Sequence, residues 1–180
     1  MLTVQPCEVP LNSLLRQYKD GPGYADCYVT QVPGAVTQAA FIEAFYTSPL
    51  FKIERTLLHY LASKPATDAD AKALAGGVAT RFSAWRVEAQ SSTELLLADF
   101  TGRTRSWLMA MPEPLGDDAP GTLLYFGSAV VPLAGQGASR MGWVFHALLG
   151  FHRLYSRMLL RAASQRVSRL KLPGGSCSQR

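Results

Sequence analysis

The chain has 180 residues, 48% of them apolar and 17% charged, which supports one domain with a sizeable core and excludes a largely disordered chain. Its net charge of +5 is local in origin: residues 140–180 hold eight Lys/Arg and no acid, and the other ten bases with all thirteen acids leave residues 1–139 at −3. The basic balance therefore belongs to the C-terminal segment and its tail.

In chain order, residues 1–23 read as an N-terminal arm rich in turn formers, with Leu11, Leu14 and Leu15 placed for one helical turn that docks on the body. Tyr24 to Val32 reads as a strand, with Tyr24, Asp26, Tyr28 and Thr30 on one face and Ala25, Cys27 and Val29 on the other. Pro33-Gly34 stops it. Thr37 is a helix N-cap before Ala40, Phe41, Ala44 and Phe45. Ser48-Pro49 ends that helix and starts another, with Ser48 as cap and Pro49 at the first helical position. Thr67 with Asp68 and Asp70 opens a short third helix that Gly76-Gly77 closes.

The period then changes from helical to alternating. Thr80 to Ala89, Glu94 to Ala98, Arg103 to Ala110 and Thr122 to Val131 read as strands. Asp99-Phe100-Thr101-Gly102 supplies a hairpin turn between the middle two, and 111–121 is a longer surface loop. The last element is a helix from about Arg140 to Val167, whose main apolar stripe is Val144, Leu148, Phe151, Tyr155, Met158 and Ala162. Phe145, Leu149, Leu159 and Leu160 widen that stripe, and Trp143 and Leu154 lie on the opposite side. So apolar a circumference calls for cover on more than one side. Residues 168–180 read as a flexible basic tail.

Strand, two or three helices, a run of antiparallel strands and a long final helix define an α+β domain over 24–167. The expected arrangement is a curved antiparallel sheet gripping the C-terminal helix, with two short helices between the first and second strands. Asp26 to Gly34, Phe45 to Pro49, and Phe151-His152-Arg153-Leu154 followed by Arg157 to Ala162 carry a further likeness. In these segments the chain resembles a bacterial domain-of-unknown-function family with the START-like, helix-grip (SRPBCC-type) fold. The likeness covers residues 24–163 and implies the fold and no mechanism. It leaves room for about five strands.

Three scattered cysteines, Cys7, Cys27 and Cys177, show no CxxC or Cys/His ligand spacing; reduced thiols in a cytoplasmic protein are expected, with no zinc site and no cofactor. No basic segment precedes an apolar run near Met1, so no secretory leader is read. A membrane span needs roughly 20 predominantly apolar residues, and the best candidate, 143–160, contains His146, His152, Arg153 and Arg157.

Candidate chemistry is sparse. His146 and His152 are six apart on one helix, too far round its axis to chelate one metal, and His59 lies on another helix. No phosphate loop, nucleophile elbow or readable triad is present. The aromatic and sulfur set is more informative. Trp85, Trp107, Met109 and Tyr125 on strands, with Phe151 and Tyr155 on the helix, would line an apolar pocket if the sheet stands off the helix, and would be plain core otherwise. Arg105, on the strand face of Trp107 and Met109, would fix an anionic head group such as a carboxylate.

These residues give the leading expectation: a non-enzymatic module holding a small apolar or amphipathic ligand between sheet and C-terminal helix. A cyclase- or hydratase-like enzyme is the alternative, with Asp26, Tyr28, Arg105, Tyr125 or His146 as the polar group in the cavity. A third reading is an interaction module or homodimer. Arg153, Arg157 and Arg161 form a basic ridge that is either a solvated face or a peripheral contact with an anionic membrane. Nucleic acid is disfavoured, because no aromatic-interleaved basic platform accompanies the ridge.

Overall fold

A computed structural model describes residues 2–53, 66–115, 119–131 and 143–170, with the side chains of 143–151 and 170 outside the description. In chain order the elements are β1 (Gln5–Pro6), α1 (Arg16–Lys19), β2 (Tyr24–Pro33), α2 (Gln38–Tyr46), a helical segment at 49–53 and α3 (Asp68–Ala75). Then come β3 (Arg81–Phe82), β4 (Trp85–Gln90), β5 (Glu94–Asp99), β6 (Thr104–Pro112), β7 (Gly121–Val130) and α4 (Trp143–Leu170). The fold is α+β. Seven strands form one antiparallel sheet in the order β1-β2-β7-β6-β5-β4-β3.

Local chemistry sets the boundaries. Thr37 Oγ1 accepts a hydrogen bond from Ala40 N at 3.2 Å and starts α2. Ser48 Oγ accepts from Phe51 N at 3.3 Å, the cap expected before Pro49. At α3, Thr67 and Asp70 form a reciprocal capping box, which satisfies two backbone donors that a helix start leaves unpaired. Gly34 (φ 80°) and Gly102 (φ 71°) take the left-handed conformation that ends β2 and turns β5 into β6. Asp99 Oδ1 fixes the latter turn by accepting from Arg103 N and Thr104 N at 2.8 and 3.0 Å.

One expected strand is in fact two. Residues 80–89 fold back at Ser83-Ala84, Phe82 pairs with Trp85, and Ser83 sits at φ 54°. No Gly or Asn marks that turn, so alternation alone runs through it. With the two-residue β1 on the far edge, this hairpin raises the strand count among the described residues to seven.

Both faces of the sheet are covered. On one, α2 and α4 pack against Tyr28, Leu108, Leu124 and Phe126, and α4 contributes Leu159, Leu160, Ala163 and Val167. On the other, the N-terminal arm lays Val9 and Leu15 over Cys27, Leu96, Trp107 and Ala129. Gly127 makes that second contact close: a Cβ there would lie 2.4 Å from Leu15 Cδ2 and 2.9 Å from the Asp26 carbonyl oxygen.

The buried side of α4 is turned from the expected stripe. Leu159 and Leu160, expected at its margin, are buried with Ser156, Ala163 and Val167, whereas Met158 of the main stripe is 48% exposed; Leu154, expected on the opposite side, is 58% exposed. Small residues at 156, 163 and 164 let the helix approach the sheet and α2, so the contact follows volume more closely than hydrophobicity. Arg153, Arg157 and Arg161 are exposed. No helix among the described residues is long and apolar enough to cross a membrane.

Candidate functional site

A cavity of about 600 Å³ lies between the sheet and the helical layer. Phe45, Phe51, Trp85, Phe126 and Tyr155 supply its aromatic wall, and Leu50 and Leu159 its aliphatic one. Ile53, Leu154 and Met158, all well exposed, stand at its rim. Its polar lining residues include Thr104, Arg105, Ser106, Ser128, His152 and Ser156.

Antiparallel register explains how the polar wall is assembled. Asp26 on β2 pairs with Ser128 on β7, and Ser128 pairs with Ser106 on β6. With side chains alternating along each strand, the three share the face towards α4. Ser106 Oγ is 3.4 Å from the hydroxyl of buried Tyr46. Ser128 Oγ donates to Asp26 Oδ1 at 2.7 Å and lies 2.6 Å from His152 Nε2. Tyr24 and Tyr28 donate longer bonds, 3.3 and 3.4 Å, to Asp26 Oδ2. Arg153 Nε in turn donates to the Tyr24 hydroxyl at 3.1 Å, with its guanidinium 5.9 Å from that ring's centroid.

Three hydroxyls, of Tyr24, Tyr28 and Ser128, donate to the Asp26 carboxyl oxygens. Ser128 has one proton and gives it to Asp26, so the short contact with His152 requires the proton to sit on His152 Nε2. Burial, with the Asp26 charge adding, pushes the Tyr28 hydroxyl well above its ordinary range. Tyr24 is raised by burial too, against the opposing pull of Arg153.

Two residues that border the cavity each hold a buried polar atom with no hydrogen-bond partner among the described residues: Ser156 Oγ and Trp85 Nε1. A buried donor or acceptor left unmatched costs about 1–3 kcal/mol.

Of the residues expected to line a ligand pocket, Trp85 and Tyr155 border this cavity. Trp107, Met109 and Tyr125 belong to the opposite face, packed under the N-terminal arm with Leu15 and Cys27. Arg105 borders the cavity, but its guanidinium is directed to the arm side. Its Nε lies 2.7 Å from Glu88 Oε2 and 3.0 Å from the Tyr18 hydroxyl, which also bonds Glu88, and its Cζ is 4.8 Å from the Tyr18 ring centroid. The carboxylate it fixes is the protein's own. Phe151 and His146 have side chains outside the described residues, as does all of His59.

The polar residues missed from sequence were Ser128, Ser156 and His152. His152 stood in view within the Phe-His-Arg-Leu segment, but its partners come from strands far along the chain. Among the described residues, no three His, Cys, Asp or Glu side chains gather as metal ligands. No family profile matches the chain, and no curated protein matches it.

Proposed function

We propose that this chain is a START-like binding module whose sheet grips the C-terminal helix and holds a small amphipathic molecule between them. The order of elements supports the fold: the first long strand lies beside the last, helices connect it to the next strand, and α4 covers that face. The observation that carries the ligand reading is the cavity itself. Its volume of about 600 Å³ falls among ligand sites of roughly 300–1,000 Å³. Its wall is aromatic and aliphatic apart from a few hydrogen-bonding groups.

The same geometry bears on the ligand's chemistry. An apolar, planar body suits Phe45, Phe51, Trp85, Phe126 and Tyr155. Arg105 is engaged by Glu88, and the Asp26 carboxylate stands behind Ser128. A neutral polar group is thus favoured over a fatty-acid carboxylate.

Titration with a neutral fluorescent amphiphile, Nile red, tests this, with a fluorescent fatty acid as comparator. Saturable 1:1 binding, weakened by Met158→Trp at the rim and weaker for the fatty acid, is the expected result. Absence of saturable binding by either probe overturns the reading.

One observation favours a second reading, an enzyme of proton-transfer type: the Asp26–Ser128–His152 chain reaches the cavity wall. With its proton held by Asp26, Ser128 is a relay and not a nucleophile, so His152 would be the group exchanging protons with a substrate. His152→Gln that keeps ligand binding and abolishes chemical conversion of a bound molecule supports this reading. Unchanged conversion removes it.

A further inference from the structure

Cys7 and Cys27 stand twenty positions apart in the chain, yet their sulfurs are 3.3 Å apart on the arm side of the sheet. The β1–β2 pairing brings them together: Pro6 faces Tyr28, and the next backbone bond runs from Cys7 N to the Cys27 carbonyl oxygen at 3.0 Å. Both are free thiols, Cys7 half-buried and Cys27 buried. A thiol hydrogen bond joins the two sulfurs. That bond holds the Cys7 thiol below its ordinary range, while the same bond together with burial pushes Cys27 up. Cys7 is thus the more nucleophilic and the more accessible sulfur, and Cys27 is reached through it.

We propose that Cys7 and Cys27 form a thiol–disulfide site that closes on reaction with a small-molecule disulfide. The Cys7 thiolate attacks one sulfur of the oxidant, whose S–S bond breaks, and the first thiolate leaves with the electron pair. Cys27 then loses its proton to solvent and attacks the Cys7 sulfur. The second thiolate is expelled, and the Cys7–Cys27 bond is made. Two protein thiols are oxidised, and the oxidant is reduced to two small thiols. The sulfurs need to close by only ~1.2 Å to reach bonding distance, within the reach of side-chain rotation.

Closure would tie β1 to β2 and encircle the segment that carries α1. That segment covers the outer sheet face through buried Leu15, through Leu14 N donating to Glu94 Oε2 at 2.8 Å, and through the Tyr18–Glu88–Arg105 cluster. Reduced and oxidised chains should therefore differ in the stability of the arm. This inference is independent of the ligand reading, since it concerns the opposite face.

The test uses the full chain carrying Cys177→Ser, so that the third cysteine does not compete, incubated with oxidised glutathione. Intact-mass measurement and peptide mapping should find a loss of two hydrogens and a Cys7–Cys27 crosslink, with a raised melting temperature. Adding Cys27→Ser should instead leave one glutathionyl group on Cys7. A chain that stays unreacted, or one that keeps a glutathione adduct on Cys7 while Cys27 is present, overturns the proposal.

Discussion

The Ser128 hydroxyl lies 2.6 Å from Nε2 of His152, joining the last strand to the C-terminal helix at the polar end of the cavity. The same oxygen bonds Asp26, so Ser128→Ala removes two hydrogen bonds and leaves the Asp26 carboxylate with two longer ones. Hydrogen bonds to charged groups are worth about 1.5–3 kcal/mol, and the variant should lose stability in that range by urea denaturation. In a double-mutant cycle with His152→Ala the effects should be non-additive by about 0.5–3 kcal/mol. Strict additivity would mean that the contact carries no energy.

Glu94 anchors the arm from within the sheet. Its Oε2 accepts from Leu14 N at 2.8 Å and from Trp107 Nε1 at 2.7 Å. Glu94→Leu strands both donors in a buried site, at about 1–3 kcal/mol each. Glu94→Gln keeps one acceptor oxygen and should lose distinctly less. Limited proteolysis should cut the arm faster in Glu94→Leu, and equal rates in the two variants would show that the carboxylate does not hold the arm.

Gly127→Ala should destabilise by about 1–3 kcal/mol through overpacking, since the new methyl meets Leu15 Cδ2 at 2.4 Å and the Asp26 carbonyl at 2.9 Å. Leu15→Ala added to it relieves only the first clash. The double variant should therefore lose less than the sum of the two singles, as chemical denaturation would record.

High pH should weaken the fold through Tyr28. Its hydroxyl is pushed up from an ordinary value of 10.0 by burial and by Asp26. Below about pH 10 it is neutral in both folded and unfolded chains, and its contribution is fully present. Above that the unfolded chain releases its proton first, so stability falls as pH rises towards the folded-state value. Urea midpoints measured from pH 8 to 11 should drop more steeply for the unsubstituted chain than for Tyr28→Phe. Parallel slopes would contradict the shift.

Much of this architecture was legible because local signals and alternation agree. Thr37, Ser48 and the Thr67–Asp70 box mark helix starts, and Tyr24, Asp26, Tyr28 and Thr30 declare a single face. Which face meets the helix was not legible on β6. Leu108 and Ala110 are apolar on one side, and Trp107 and Met109 on the other, because the arm covers the second face. Period-two reasoning yields two faces without an address, and the larger aromatics drew the reading to the arm side. The polar site was hidden for a different reason. Asp26 and Ser128 are 102 positions apart and meet only through strand pairing, and His152 arrives from a helix whose burial is set by small serines.

Native mass spectrometry of gently purified protein tests the central claim most directly. A cavity that holds an amphipathic molecule between Trp85 and Ser156 should give a chain carrying one small adduct. Met158→Trp should lose the adduct while keeping the same circular dichroism spectrum. A bare polypeptide mass that no added Nile red shifts would contradict the account.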